Sequence, residues 1–315
     1  MINSRHDFMP AIYQKGVLDM RTGNNKLQTE LVWLTFVIPV LAFYLIFFIL
    51  PSISTFMYSF TDWDGVTSNF IGLDNFKEMI QDTMILTSFG NTAMYAVCIT
   101  TLQNLLGLIL GVVLVQKVIG VSYLRTIFFM PYIFSALLLG YVWGFILEPN
   151  IGILNNLLDA VHLGFLKANW LGNPVLGRWM IIVLTIWQCM GYSMVIYIAG
   201  LQAIPKDMYE SANIDGAGGF SKFTHITFPL IAPSFTINIM LSLIGCLKLF
   251  DQIYALTNGG PGYATNSVAT MIYTLGFGSG NRWGYGTAMS VVLFLGIMLL
   301  TAIVVPVLRK REVDI

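Results

Sequence analysis

Lys248 and Asp251 stand three residues apart inside an otherwise apolar stretch, and chemistry first becomes visible in this sequence at that pair. A charge near the centre of a bilayer costs about 2.5–3.5 kcal/mol on insertion scales, so such residues face one another, a bundle interior or a water-filled cavity. At this spacing the two share a helix face and can pair. They are then either a structural ion pair near the interface or part of a polar path. Gln188 and Tyr192 are four apart, as are Asn238 and Ser242, and each pair lies on one helix face. Together with Tyr254 these residues offer the hydrogen-bonding groups and the aromatic platform that a pathway for a polar solute needs.

Catalytic chemistry has no comparable foothold. No G-x-x-x-x-G-K-[ST] phosphate loop occurs; Gly218-Gly219-Phe220-Ser221-Lys222 is glycine-rich but lacks that spacing and a preceding strand. The chain is therefore expected not to hydrolyse nucleotide by itself. His6, His162 and His225 form no H-E-x-x-H, no G-x-S-x-G elbow is present, and no pair of Asp residues in an apolar run suggests a proteolytic dyad. Cys98, Cys189 and Cys246 each sit in an apolar run without metal-ligand spacing and read as small buried hydrophobes. The expectation is a chain that is not an enzyme and binds no metal or cofactor of its own.

The elements that must hold these residues follow from composition. Of 315 residues, 56% are apolar and 10% charged, against about 45–50% and about 25% in soluble domains. So few charges cannot cover that much apolar surface in water, which leaves a chain that uses the bilayer as its solvent. Six stretches reach the length of a spanning helix, about 20 residues. They are Trp33–Tyr58, Thr92–Val115, Ile127–Leu147, Met180–Leu201, Leu230–Leu256 and Ala288–Leu308. The first is too long for a cleaved signal, follows a polar segment and has no small-x-small site after it, so it reads as a retained anchor. The predicted class is an all-α polytopic membrane protein: a cytosolic segment 1–32, a six-helix domain 33–308 and a cytosolic tail 309–315.

Lys and Arg orient the spans. With the N-terminus inside, the inner segments hold Arg5, Lys15, Arg21, Lys26, Lys117, Arg125, Lys206, Lys222, Arg309, Lys310 and Arg311. The outer segments hold only Lys77, Lys167, Arg178 and Arg282, so both ends are predicted to be cytosolic. Zero formal net charge gives no reason to expect a nucleic-acid partner. Trp33, Trp63, Trp143, Trp170, Trp179 and Trp283 fall near span ends or in outer loops, as an interfacial aromatic belt would. Gly107-x3-Gly111 and Gly140-x3-Gly144 permit close helix contact.

Between the fourth and fifth spans runs a cytosolic segment, 203–229. Pro205 suits a first helical turn, and Asp207 and Glu210 sit near that N-terminus, where the helix dipole favours negative charge. Gly216, Gly218 and Gly219 end the helix and permit positive φ. A second amphipathic piece, Phe220 to Ile226, runs up to Pro229. The prediction is helix, glycine turn, helix. A helix of about ten residues is marginal alone in water, so Met208, Tyr209, Ala212, Ile214, Phe220, Phe223 and Ile226 must pack. They pack either on the chain's own helix ends or in a groove of a cytosolic partner.

The run Glu210-Ser211-Ala212, three residues, Gly216, nine residues, then Ile226-x-Phe228-Pro229 resembles the EAA loop of binding-protein-dependent ABC importer permeases. That family pattern is E-A-A, three residues, Gly, nine residues, I-x-L-P. Ser211 and Phe228 depart from it mildly, and Asp215-Gly216-Ala217 looks like the D-G-A common within the loop. Downstream, Phe250-Asp251-Gln252-Ile253-Tyr254-Ala255-Leu256-Thr257 followed by Gly259-Gly260-Pro261 is similar to the F-D-x-I-Y-x-L-T-x-G-G-P run of carbohydrate permeases, the MalF/UgpA/LacF-like oligosaccharide class. The resemblance covers nearly the whole chain from Trp33 onward.

The resemblance implies a type I importer permease fold in a bacterial-type plasma membrane. It implies a second permease subunit completing a heterodimeric pore, and two ATPase subunits holding ATP-Mg and docking on the EAA loops. An extracellular solute-binding protein would deliver a sugar. Glu210, Ser211, Ala212, Asp215, Gly216, Ala217, Ile226 and Pro229 then become the coupling residues, with the segment from Glu210 to Gly219 as a lever. Gln188, Tyr192, Asn238, Ser242, Lys248, Asp251 and Tyr254 become pathway candidates. An ion-coupled secondary transporter is the alternative; it would carry its own coupling-ion site and internal repeats, and no clear repeat is visible.

Overall fold

The computed structural model describes residues 25–116, 120–278 and 281–310, with side chains from Trp33 onward. The segment 1–24, Lys117 and the tail 311–315 lie outside the described residues, and with them the placements expected for Arg5, Lys15, Arg21 and Arg311. The chain divides into two compact units, Met1–Met57 and Tyr58–Ile315.

The first unit is helical throughout its described part. Helix α1 (Asn25–Tyr44) passes through a π-helical segment (Leu45–Ile49) into α2 (Leu50–Tyr58), whose last residue opens the second unit. The π segment ends two residues before Pro51, which has no N–H to offer the preceding turn. The span Trp33–Tyr58 coincides with the stretch read from sequence.

The second unit is also helical: among the described residues the only β pairing is an isolated bridge between Thr61 and Phe70. A short helix α3 (Asp74–Gln81) leads into α4 (Thr83–Leu114). The α4 helix begins nine residues before the expected Thr92, because the Asp82 carboxylate accepts from the Met84 and Ile85 amides and caps it there. At its other end the Arg125 guanidinium donates to the Leu114 carbonyl, 3.0 Å from Nε.

The third span is not one helix. It breaks at Phe134–Ser135 into α5 (Val121–Ile133) and α6 (Ala136–Ile146), bent by 95°. A short α7 (Ile153–Ala160) lies in the following loop, then α8 (Pro174–Ala203) starts from an Asn173 cap with Pro174 at its first position. The segment between the fourth and fifth stretches forms α9 (Lys206–Ile214), α10 (Gly219–Lys222), a π segment (Phe223–Thr227) and α11 (Phe228–Leu230). The fifth span also departs from the single run expected. The segment Gly219–Leu230 meets α12 (Ala232–Leu247) at 66°, and α12 stops at Lys248 before a separate α13 (Asp251–Leu256). The chain closes with α14 (Val268–Phe277) and α15 (Trp283–Arg309). Among the described residues four helices are long and apolar enough to cross a membrane, or up to six spans if each bent pair is one.

The packing centre is the α4–α8 pair, flanked by α12 and α5. Gly107 and Gly111 allow it: a Cβ on Gly107 would stand 2.6 Å from the Ser193 Cβ, and one on Gly111 would stand 3.0 Å from that of Tyr197. Gly140 presses α6 against α13 in the same way, 2.5 Å from the Ala255 Cβ, whereas Gly144 faces open space. Polar groups stitch the same helices. Asn104 Nδ2 donates to Ser242 Oγ at 2.8 Å, Tyr197 Oη donates to Asn104 Oδ1 at 2.9 Å, and Gln103 Nε2 donates to Ser193 Oγ at 2.8 Å. Arg282 pairs with Glu78 at 2.6 Å, joining α3 to the start of α15.

Candidate functional site

Two regions gather the chemistry-bearing residues. The first is the segment between α8 and α11. Pro205 sits at the cap position of α9, one residue ahead of the helix rather than inside its first turn, and Asp207 lies in that turn. The helix runs Lys206–Ile214 and so ends before the segment from Glu210 to Gly219 expected as the lever is complete. It ends in a glycine stop with two reverse bonds, from Ala217 N to Ala212 O at 2.9 Å and from Gly216 N to Asn213 O at 3.1 Å. This is the Schellman arrangement, and it needs the left-handed φ of +73° that Gly216 adopts. Lys222 Nζ donates to Asn213 Oδ1 and ties the two helices of the loop together.

The apolar residues of this loop divide by face. Tyr209 packs beside Tyr197, Leu201, Ile204 and Ile231, and its hydroxyl lies 2.9 Å from Thr227 Oγ1. Ala212 is buried, and Ile226, Phe228 and Pro229 are half-buried. The opposite side is bare: Met208 is 46% exposed, Ile214 87% and Phe220 83%. Glu210, Ser211, Asp215 and Gly216 are exposed beside them, and Ala217 is half-buried. The reading of a loop packed on the chain's own helix ends is met on one face. The inner face holds the loop on the helix ends, and the outer face leaves three large apolar side chains and two carboxylates exposed.

The second region is a cleft of about 340 Å³ between α4, α5, α8 and the α12–α13 break. Tyr192, Ser242, Lys248 and Asp251 line it, as the sequence suggested. Tyr132 stacks on Tyr192 with ring centroids 4.6 Å apart. Lys248 and Asp251, however, do not share a helix face. The α12 helix ends at Lys248, and Asp251 opens α13 after a non-helical step, so the expected pairing is replaced by two exposed and separate charges on the cleft wall. The unwound step removes the helical spacing on which the pairing depended.

Three other pathway candidates lie elsewhere. Gln188 is buried, donating to the Phe134 carbonyl at 3.1 Å and accepting from Gln252 at 3.1 Å. Asn238 is buried between helices and donates to the Ser193 carbonyl at 3.0 Å. Tyr254 stacks on Phe250 at 5.3 Å and meets Tyr273 edge-on, so Phe250 rather than Tyr254 lines the cleft. Sequence reasoning missed Gln103, Tyr132 and Gln252. Gln252 follows Asp251 directly in the quoted motif, and Gln103 is a polar residue in an otherwise apolar span. Either signal was available.

Comparison with known proteins gives consistent matches. Residues 103–313 match the family model described as the binding-protein-dependent transport system inner membrane component. The chain is 38% identical over 283 residues to a probable starch degradation products transport system permease protein of Thermoanaerobacterium thermosulfurigenes, covering 90% of this chain and 95% of that one. It is 32% identical to the trehalose/maltose transport system permease protein of Thermococcus litoralis, covering 88% and 93%. In structure it resembles a chain of a bacterial ABC transporter that imports the acidic polysaccharide alginate. There the TM-score is 0.78 and the identity 24%, with 91% of this chain and 98% of that chain covered.

Proposed function

The chain belongs to the family of binding-protein-dependent transport system inner membrane components, a membrane transport component and not an enzyme, and from that premise we propose that it is a permease subunit of an ATP-driven sugar importer. The relatives named for starch degradation products and for trehalose/maltose support an oligosaccharide as cargo. The observation that carries the reading is the bare outer face of the α9–α10 loop. A compact loop made only to connect two spans would not hold Ile214 and Phe220 out in water. A rigid helix ending in a Schellman turn, with an apolar tip and Glu210 and Asp215 beside it, is the shape of a plug for a groove in a cytosolic ATPase. That partner carries the ATP-Mg. A second permease subunit completes the pore, and a solute-binding protein on the outer side delivers the sugar to the cleft. The membrane is the plasma membrane, with both chain ends inside.

The test is reconstitution. The chain, expressed with its neighbouring permease and ATPase subunits, is expected to co-purify with the ATPase. It should then take up labelled oligosaccharide in proteoliposomes only when ATP is inside with the ATPase and the solute-binding protein is outside. Uptake by the chain alone on a sodium or proton gradient would establish an ion-coupled secondary transporter instead.

A further inference from the structure

Gln188, Gln252 and the broken third span form an arrangement that substrate lining alone does not explain. Phe134 has an extended backbone (ψ 146°), so its carbonyl points away from α6, whose first bond runs from Leu139 N to Ser135 O. A carbonyl freed in the bilayer core needs a donor. The buried Gln188 side chain supplies it, from Nε2 at 3.1 Å. A carbonyl can only accept, so this contact fixes the orientation of the Gln188 amide and turns its Oε1 toward Gln252, which donates from Nε2 at 3.1 Å. The Gln252 Oε1 is thereby left as an acceptor on the cleft wall, with no partner among the described residues.

The helices involved divide in the same way. The inner halves of the broken spans, α5 and α12, pack on α8 and α4. The outer halves, α6 and α13, pack chiefly on each other, pressed together at Gly140 and Ala255. The Gln252–Gln188–Phe134 chain ties that outer pair to α8 across the break.

We propose that Gln252 is a positioning residue of the transport cycle: its carboxamide latches the α6–α13 pair to α8 through Gln188 while presenting a hydrogen-bond acceptor to a hydroxyl in the cleft. The latch opposes separation of the α6–α13 pair from α8, so the outward-open conformation is reached against it. Its role in the cycle rests on the permease reading above.

Two measurements test it. Hydrogen–deuterium exchange across residues 136–142 is read on the full chain alone in lipid nanodiscs. Q188L and Q252L should each raise exchange there about tenfold, as loss of a buried hydrogen bond does. The double variant should do no more than either single one. Q252M, similar in length but with no donor for the Gln188 oxygen, should behave like Q252L even if the leucine variant folds poorly. ATP hydrolysis without solute is read on the assembled transporter, where latch release should raise the rate at least about threefold by population shift. Loss of fold would lower it. Unchanged exchange, or additive effects in the double variant, overturns the latch. Raised exchange with unchanged hydrolysis in an active complex overturns its part in the cycle. Raised exchange in a chain that recruits no ATPase leaves the latch standing and overturns the importer reading and the role in its cycle.

Discussion

Gly216 performs its task through the backbone alone. A Cβ there would meet nothing within 4 Å, so the cost of a substitution comes from φ at +73°, about 1–2 kcal/mol for a residue with a side chain. Gly216→Val is expected to leave membrane insertion intact and to cut recovery of the ATPase in pull-downs about tenfold, the equivalent of about 1.4 kcal/mol. Gly216→Asn, which tolerates the left-handed region, should recover near wild-type amounts. Equal recovery by the Val variant would detach the turn from docking. On the outer surface Asp62 accepts from the Asn69 amide, and Asp64 from the Thr67 and Val66 amides. These bonds hold both carboxyls below their ordinary value of 3.8. A depressed folded-state value means that the stabilisation is present above 3.8 and is lost as pH falls through the folded value. Exchange of the Val66, Thr67 and Asn69 amides should therefore show no carboxylate-linked loosening from pH 8 down to about pH 4, and a loosening midpoint near pH 6 would contradict the assignment.

At the scale of elements, the two members of one glycine pair have different jobs. Gly140 sits where any side chain would collide with Ala255, and Gly144 faces open space. Gly140→Val is expected to destabilise the detergent-solubilised protein by about 1–3 kcal/mol, the range for overpacking, visible as a lower thermal midpoint. Gly144→Val should lie within about 0.5 kcal/mol of wild type. Gly107 and Gly111 belong with Gly140, since both lie against α8. The broken helices follow the same logic. Pro131 and the Lys248–Phe250 step interrupt hydrogen-bond ladders in the bilayer, and the freed groups are served by neighbours, as Gln188 serves Phe134. Sequence periodicity sees an apolar run of the right length and reads one span; the bend depends on which distant side chain is there to satisfy the break.

For the molecule as a whole, sidedness is the testable consequence. Cysteines introduced at Ile214 and at Val66, exposed residues of the α9–α10 loop and of the 61–70 hairpin, are expected on opposite faces of the bilayer from the distribution of Lys and Arg. A membrane-impermeant maleimide applied to intact cells should label Val66→Cys and spare Ile214→Cys until the cells are opened. Reversed labelling would invert the topology and remove the coupling loop from the cytosol.

Composition and the spacing around Glu210, Gly216 and Pro229 pointed, without coordinates, to a membrane protein of up to six spans with a helix, glycine turn and helix between the fourth and fifth. These are local properties: hydrophobic length, charge placement and glycine conformation act within one segment and are written in it. Tertiary structure alone decided which polar residues line the cleft. Tyr192 and Ser242 reach it, while Asn238 and Gln188, with equally polar side chains at equally helical spacing, turn to the Ser193 and Phe134 carbonyls instead. In a medium without water a buried amide goes to whichever backbone group is left unpaired, and that group belongs to another helix.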